Sequence, residues 1–121
     1  MVGRLATRLG TRAKAAVKTI FRPQFWIDLE EGVTYLAEKA SPEIAHLWHA
    51  EVMRTVERVA RQPDLGRLRR DFTLPGIRSL VLHRFPRYLL FYQSEPGADV
   101  LEILRVKHGM MDLPALFDPS R

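Results

Sequence analysis

Residues 87–106 read Arg-Tyr-Leu-Leu-Phe-Tyr-Gln-Ser-Glu-Pro-Gly-Ala-Asp-Val-Leu-Glu-Ile-Leu-Arg-Val. Two runs rich in Leu, Ile, Val, Tyr and Phe, 87–94 and 100–106, flank Glu95-Pro96-Gly97-Ala98, a spacing that predicts two strands joined by a hairpin turn. A third run of the same kind, 77–85, precedes them and is set off by Pro86. Together the three predict an antiparallel meander.

Upstream of the meander the apolar period changes from two to about 3.6. Phe25, Trp26, Leu29, Val33, Leu36, Ala37 and Ala40 recur at helical spacing, with Asp28, Glu30, Glu31 and Glu38 mostly on the other side, which predicts a helix over about 24–40 with a solvated acidic face. Ser41-Pro42 offers a capping hydroxyl followed by a proline at the first helical position. Ile44, Trp48, Val52, Val56 and Val59 then carry a second helix to Gln62, and the short connection makes the two antiparallel. Pro63-Asp64-Leu65-Gly66 closes it, and residues 63–76 are expected to be an ordered loop. Before the first helix, residues 16–21 are β-branched and aromatic enough for a short strand ended by Pro23. The predicted order is strand, helix, helix, strand, strand, strand. This is an α+β fold, β-α-α-β-β-β, with an antiparallel helix hairpin on one face of a small, mainly antiparallel sheet.

With 121 residues, 46% hydrophobic and 27% charged, one domain with a single core is expected over 16–121. Residues 1–15 form a basic extension in which Arg4, Arg8 and Arg12 recur opposite Leu5 and Leu9, and no function is assigned to it. The net charge of +5 is unevenly spread: residues 1–22 hold six bases and no acid, leaving 13 bases against 14 acids in the remainder. Within that near-neutral body, residues 67–87 gather Arg67, Arg69, Arg70, Arg78, Arg84 and Arg87 against Asp71 alone, with His83 among them. A local basic surface follows.

The absence of cysteine excludes disulfides, thiolate metal sites and thiol nucleophiles. No apolar run approaches the roughly 20 residues of a membrane helix, and the start lacks a secretory signal pattern, so a soluble cytoplasmic protein is expected. Phosphate-cradling glycine loops, metal-spaced histidine clusters and serine nucleophile elbows are all missing, and His46 and His49 have no third ligand nearby. No cofactor and no metal are expected, and function is expected to rest on gripping another macromolecule. Trp26, Tyr35 and Trp48 could line a sticky groove; core is the better assignment for Trp48, while Trp26 and Tyr35 stay open. His83, Arg87, Arg105, Lys107 and His108 lie in or just after predicted strands, where rigidly placed cations could bind phosphate and histidine could exchange a proton. An ordinary sheet face with its cations paired to Glu102 or Asp99 is the alternative.

The segments Arg87-Tyr88-Leu89-Leu90-Phe91-Tyr92, Leu101-Glu102-Ile103-Leu104-Arg105-Val106-Lys107-His108-Gly109 and Asp112-Leu113-Pro114-Ala115-Leu116-Phe117 together resemble the C-terminal half of the RelE/ParE toxins of type II toxin–antitoxin systems. Asp28-Leu29-Glu30, Tyr35 and Pro63-Asp64-Leu65-Gly66-Arg67 fit upstream, so the resemblance covers about 16–117. It implies the fold derived above and a small ParD- or RelB-like antitoxin whose C-terminal helix or strand wraps the toxin in a hetero-oligomer. One branch of the family cuts messenger RNA on the ribosome; the ParE-like branch, a plasmid-stabilisation type, inhibits DNA gyrase by binding. Arg87 matches an arginine that the nuclease branch uses at the scissile phosphate, and His108 falls near the position of its acid. The C-terminal tyrosine and lysine-dense face of ribosome-dependent members are missing, and the ending is ParE-like. The resemblance therefore implies a gyrase-inhibiting toxin, with a ribosome-dependent messenger RNA endonuclease and a non-toxic antitoxin partner as the alternatives. Arg87 and His108 are catalytic candidates under the nuclease alternative, and Trp26, Tyr35, Arg67, Arg78, His83, Arg84, Arg105 and Lys107 are binding candidates.

Overall fold

A computed structural model describes residues 18–95, 99–110 and 113–117; the expected extension over 1–15 lies outside them. In chain order the elements are β1 (Lys18–Phe21), α1 (Pro23–Lys39), α2 (Pro42–Arg61), β2 (Arg67–Leu68), β3 (Ile77–Val81), β4 (Tyr88–Glu95), β5 (Val100–His108) and a 3-10 turn, Leu113–Phe117. Pro23 opens α1 with no side-chain cap. The Ser41 hydroxyl caps α2, accepting from the Ile44 N–H at 3.1 Å, and supplies one of the acceptors that a helix's first turn otherwise lacks.

The sheet has five strands in the order β1-β5-β4-β3-β2. All neighbours are antiparallel except β1, which runs parallel to β5 with Lys18 opposite Val100 and Phe21 opposite Ile103. Two expectations are corrected. The 63–76 segment is not all loop, because Arg67 and Leu68 pair with Ser79 and Arg78 as an edge strand. The run expected as a strand to residue 85 stops at Val81, and His83 and Arg84 stand exposed in the connection to β4. That connection is held by Leu82 N–H donating to Tyr88 O at 3.1 Å and Tyr88 N–H to Phe85 O at 2.9 Å.

The helix hairpin packs one face of this sheet. Phe25 and Leu29 from α1 and Trp48, Val52, Val56 and Val59 from α2 meet Leu82, Leu90, Tyr92, Leu101, Ile103 and Val106. Each large side chain so buried stabilises the fold by about 1.5–3 kcal/mol relative to exposure. A register slip between Phe91 and Tyr92 pairs Phe91 with Arg105 but Tyr92 with Ile103, leaving Leu104 as an extra residue in β5. The bulge resets the two-residue alternation. Without it, position 105 would follow 101 and 103 into the core; with it, Val106 takes that place and Arg105 is spared.

Arg105 instead meets an acid. Since β1 pairs only as far as Ile103, the rest of β5 has an open side, and α1 passes over it with Asp28. The Asp28 carboxylate accepts from Arg105 Nε at 2.7 Å, Arg105 Nη2 at 3.0 Å and the Val106 N–H at 3.2 Å, with Lys107 Nζ at 3.2 Å. Asp28 is 3% exposed, so its expected place on a solvated helix face is corrected. The carboxylate replaces the strand that β1 no longer provides and binds two cations that a free sheet face would have shown to solvent.

The other sheet face is not bare either. Phe72, Ile77, Phe91 and Leu104 form a second cluster under Leu113, Leu116 and Phe117 of the 3-10 turn. Arg69, buried there, reaches Ser79 Oγ at 3.0 Å and Asp71 at 2.6 and 2.9 Å. The loop after α2 is latched by Tyr92, whose hydroxyl accepts from the Gly66 N–H at 2.7 Å and donates to Pro63 O at 2.8 Å.

Replacing Asp28 by Ala leaves Arg105 and the Val106 N–H without their acceptor, and urea unfolding is expected to show a loss of about 3–5 kcal/mol, the range for breaking one side of a buried pair. A second expectation concerns alkali. Burial pushes the Tyr92 phenol above its ordinary value, so its contribution is complete below the unfolded value of about 10 and declines as pH rises through the higher folded value. Unfolding free energy measured from about pH 8 to about pH 11 should fall in wild type and fall less steeply in Tyr92→Phe, which also loses about 1–3 kcal/mol at neutral pH from the unpaired Gly66 N–H.

Candidate functional site

One of several concave regions of the surface lies where the second half of α1 faces the β3–β4 connection and the end of β5. A cleft of about 410 Å³ is lined by Asp28, Glu31, Gly32, Tyr35, Trp48, Tyr88, Val106, Lys107 and His108. A neighbouring hollow of about 350 Å³ shares Tyr35, Tyr88 and His108 with it and adds Arg84, Phe85 and Arg87. Tyr35 is 55% exposed and stands between the two.

Each wall has a local cause. Gly32 lets the Trp48 ring lie against α1, since a Cβ there would overlap the six-membered ring. Trp48, fully buried, packs edge-on against Tyr88 at 5.2 Å between ring centres, and Tyr88 packs edge-on against His108 at 5.1 Å. Burial pushes the Tyr88 phenol above its ordinary value, with the Tyr35 hydroxyl adding to the shift, so the cleft keeps a neutral hydroxyl at physiological pH. His108 Nδ1 accepts from the Met110 N–H at 3.1 Å, which leaves Nε2 as the N–H of the neutral ring. Gly109 N–H donates to Arg87 O at 2.7 Å, tying the arginine's backbone to the end of β5.

The cations differ in how engaged they are. Lys107 is held by Asp28 at 3.2 Å and Glu31 at 3.6 Å, and Arg105 by Asp28. Ion pairs among the described residues otherwise involve Arg22, Arg54 and Arg69. Neither Arg84 nor Arg87 is in this set, and both are exposed.

The residues singled out by sequence thus fall in several places. Tyr35, Arg84, Arg87, Lys107 and His108 come together around the cleft. Arg105 is on β5 but committed to Asp28. Arg67 lies at the β2 edge beside Arg70 and Asp71, where the Arg69 guanidinium holds the Asp71 carboxyl below the usual carboxylate range. Arg78 donates to Gly66 O at 2.8 Å and braces the loop after α2. His83 is exposed beside Arg84. Trp26 is 46% exposed at the start of α1, stacked on Phe21 at 4.8 Å, more than two helical turns from Tyr35. Sequence reasoning missed Glu31 and Gly32 as cleft residues; the one signal was their position one turn before Tyr35 on the same helix face.

Ala is the better helix former than Gly by about 1 kcal/mol, but the overlap with Trp48 sets that against an overpacking cost of about 1–3 kcal/mol. Gly32→Ala is therefore expected to lower stability on balance in urea unfolding and to move the Trp48 ring, read as a change in near-ultraviolet circular dichroism.

The family model described as the ParE toxin of the type II toxin–antitoxin system, parDE, matches residues 19–113. Among solved structures, a chain titled as a chromosomal ParDE TA system from P. aeruginosa aligns with a TM-score of 0.64 and 18% identity, covering 77% of this chain and 96% of that one. At that identity the likeness is one of fold. Comparison with curated proteins finds no match.

Proposed function

The chain belongs to the ParE toxin family of type II toxin–antitoxin systems, and from that membership we infer a toxin that acts by binding, inhibiting DNA gyrase and held silent by a cognate antitoxin. The observation that carries the binding reading over a cutting one is the state of the cations at the end of β5. A nuclease stabilises the charge that develops on a scissile phosphate with preorganised cations next to an acid–base pair. Here Lys107 of the cleft is drawn onto Asp28, as is Arg105 two residues before it on the strand. What remains at the rim is Arg84, Arg87 and His108, a set suited to gripping an anionic or polar partner.

The nuclease alternative keeps one point in its favour, that Arg87 and His108 line the same hollow. Supercoiling by purified gyrase separates the two. Inhibition by the chain with accumulation of cleaved DNA, relieved by antitoxin, is the expected result, and Arg87→Ala and His108→Ala should weaken it only as far as they weaken binding. Absence of any effect on gyrase, together with messenger RNA cleavage that Arg87→Ala or His108→Ala abolishes by a factor of about 100 or more, would overturn the assignment.

A further inference from the structure

Residues 61–78 carry Arg61, Arg67, Arg69, Arg70 and Arg78 against Asp64 and Asp71, five bases to two acids and a net charge of +3. The strand order puts β2 at the edge of the sheet, three strands away from β5 and so apart from the cleft. Two of these arginines are spent inside the fold. Arg69 is bound to Asp71 at 2.6 and 2.9 Å and to Ser79 at 3.0 Å, with its guanidinium 5.1 Å from the centre of the Phe72 ring. Arg78 holds the turn before β2 through Gly66 O at 2.8 Å. Arg67 and Arg70, in contrast, are exposed and make no ion pair among the described residues. With Leu68 and Asp71 they line an open hollow of about 580 Å³. The Asp71 carboxylate is already paired with Arg69, so the charge left free in the hollow is positive.

A charged edge strand has a plain use, to keep a second sheet from pairing with it, and one exposed cation suffices for that. The β2 edge carries more. Its two free guanidinium groups are borne three residues apart, within about 10 Å along an extended chain, on a frame that Arg69 fixes from the sheet face and Arg78 from the preceding turn. Fixed cations beside the outward backbone of a sheet edge make an anion-binding concavity.

We propose that the β2 edge grips the phosphate backbone of double-helical DNA without regard to sequence. The lining selects that class of partner. Three of its four side chains are charged and the fourth is Leu68, so it lacks the pocket for a large apolar anchor around which a protein interface is built. It shows no ring on which an unpaired base could stack, since Phe72 is buried, and this disfavours single strands. Guanidinium groups match phosphate oxygens in geometry as well as charge, and contacts to phosphate alone position a protein on a duplex without reading its bases. The choice of DNA rests on the toxin reading above, in which the target enzyme works on a duplex. An edge three strands, or about 14 Å, across the sheet from β5 stays open when the cleft is filled, so the toxin can touch enzyme and DNA at once.

Anisotropy of a short fluorescent DNA duplex of mixed sequence reads this contact in the full chain. Saturable binding that weakens as salt is raised is expected. Arg67→Ala with Arg70→Ala should weaken it about tenfold or more and lower the slope of log affinity against log salt by about 2. Lysine at both positions should restore part of the affinity, which a misfolded edge would not do. Lys18→Ala with Lys39→Ala removes the same charge from exposed positions elsewhere and should change affinity less than about twofold. Equal losses in the two alanine pairs, binding indifferent to Arg67 and Arg70, tighter binding to a single strand or an RNA duplex, or a preference for polyglutamate would each overturn the proposal. Because the assay contains no gyrase, a chain that grips the duplex but leaves supercoiling untouched keeps this site and loses the target reading. Inhibited supercoiling with no duplex binding does the reverse.

Discussion

The Asp28 carboxylate is the contact on which the rest of the molecule's arrangement turns. It joins the first helix to the last strand across a sequence separation of 77 residues, and it does so where the sheet has run out of partners. Removing an ionised carboxylate from water is unfavourable by several kcal/mol, and such a group persists in an interior only when its oxygens are fully engaged. Two guanidinium N–H groups, a backbone N–H and an ammonium provide that here. The same contact fixes the distance between α1 and β5, which form opposite walls of the cleft, and it withdraws two cations from the surface. Fold and electrostatics of the site have one common cause.

Much of the architecture was legible in the sequence because its signals are local. The helix hairpin follows from apolar spacing plus the Ser41-Pro42 start, and the meander from alternating runs broken by Pro and Gly. The failures are non-local. An aspartate one turn into an amphipathic helix looks the same in sequence whether it faces water or a strand 77 residues away. The two-residue strand Arg67–Leu68 has too few residues to show alternation. The bulge at Leu104 leaves no mark, because Leu101, Ile103, Leu104 and Val106 are apolar on either register, and only pairing with Phe91 and Tyr92 decides which faces the helices.

The site was legible as a list of residues and not as a place. Tyr35, Arg84, Arg87, Lys107 and His108 come from three separate elements, and the sequence gives no sign that they converge while Arg67 and Trp26 do not. Cations near strand ends, Arg84, Arg87 and Lys107, line two adjoining hollows. What the sequence lacked was the state of each cation, which depends on partners. Arg105 and Lys107 are set apart from Arg84 and Arg87 by their ion pairs with Asp28 and, for Lys107, Glu31, and Arg78 by its reach to the Gly66 carbonyl.

The parallel pairing of β1 with β5 bears on how such a molecule comes into being during translation. Strand β1 leaves the ribosome early, yet its hydrogen-bonded neighbour is among the last segments made, and at roughly 5–20 residues per second several seconds separate the two. Until β5 arrives, the Asp28 carboxylate of α1 has no partner, the sheet's central ladder is missing, and half of the cleft does not exist. Long-range closure of this kind is also slow in itself. A nascent or truncated chain therefore lacks the finished surface altogether, and whatever the cleft binds can be bound only when synthesis is nearly complete.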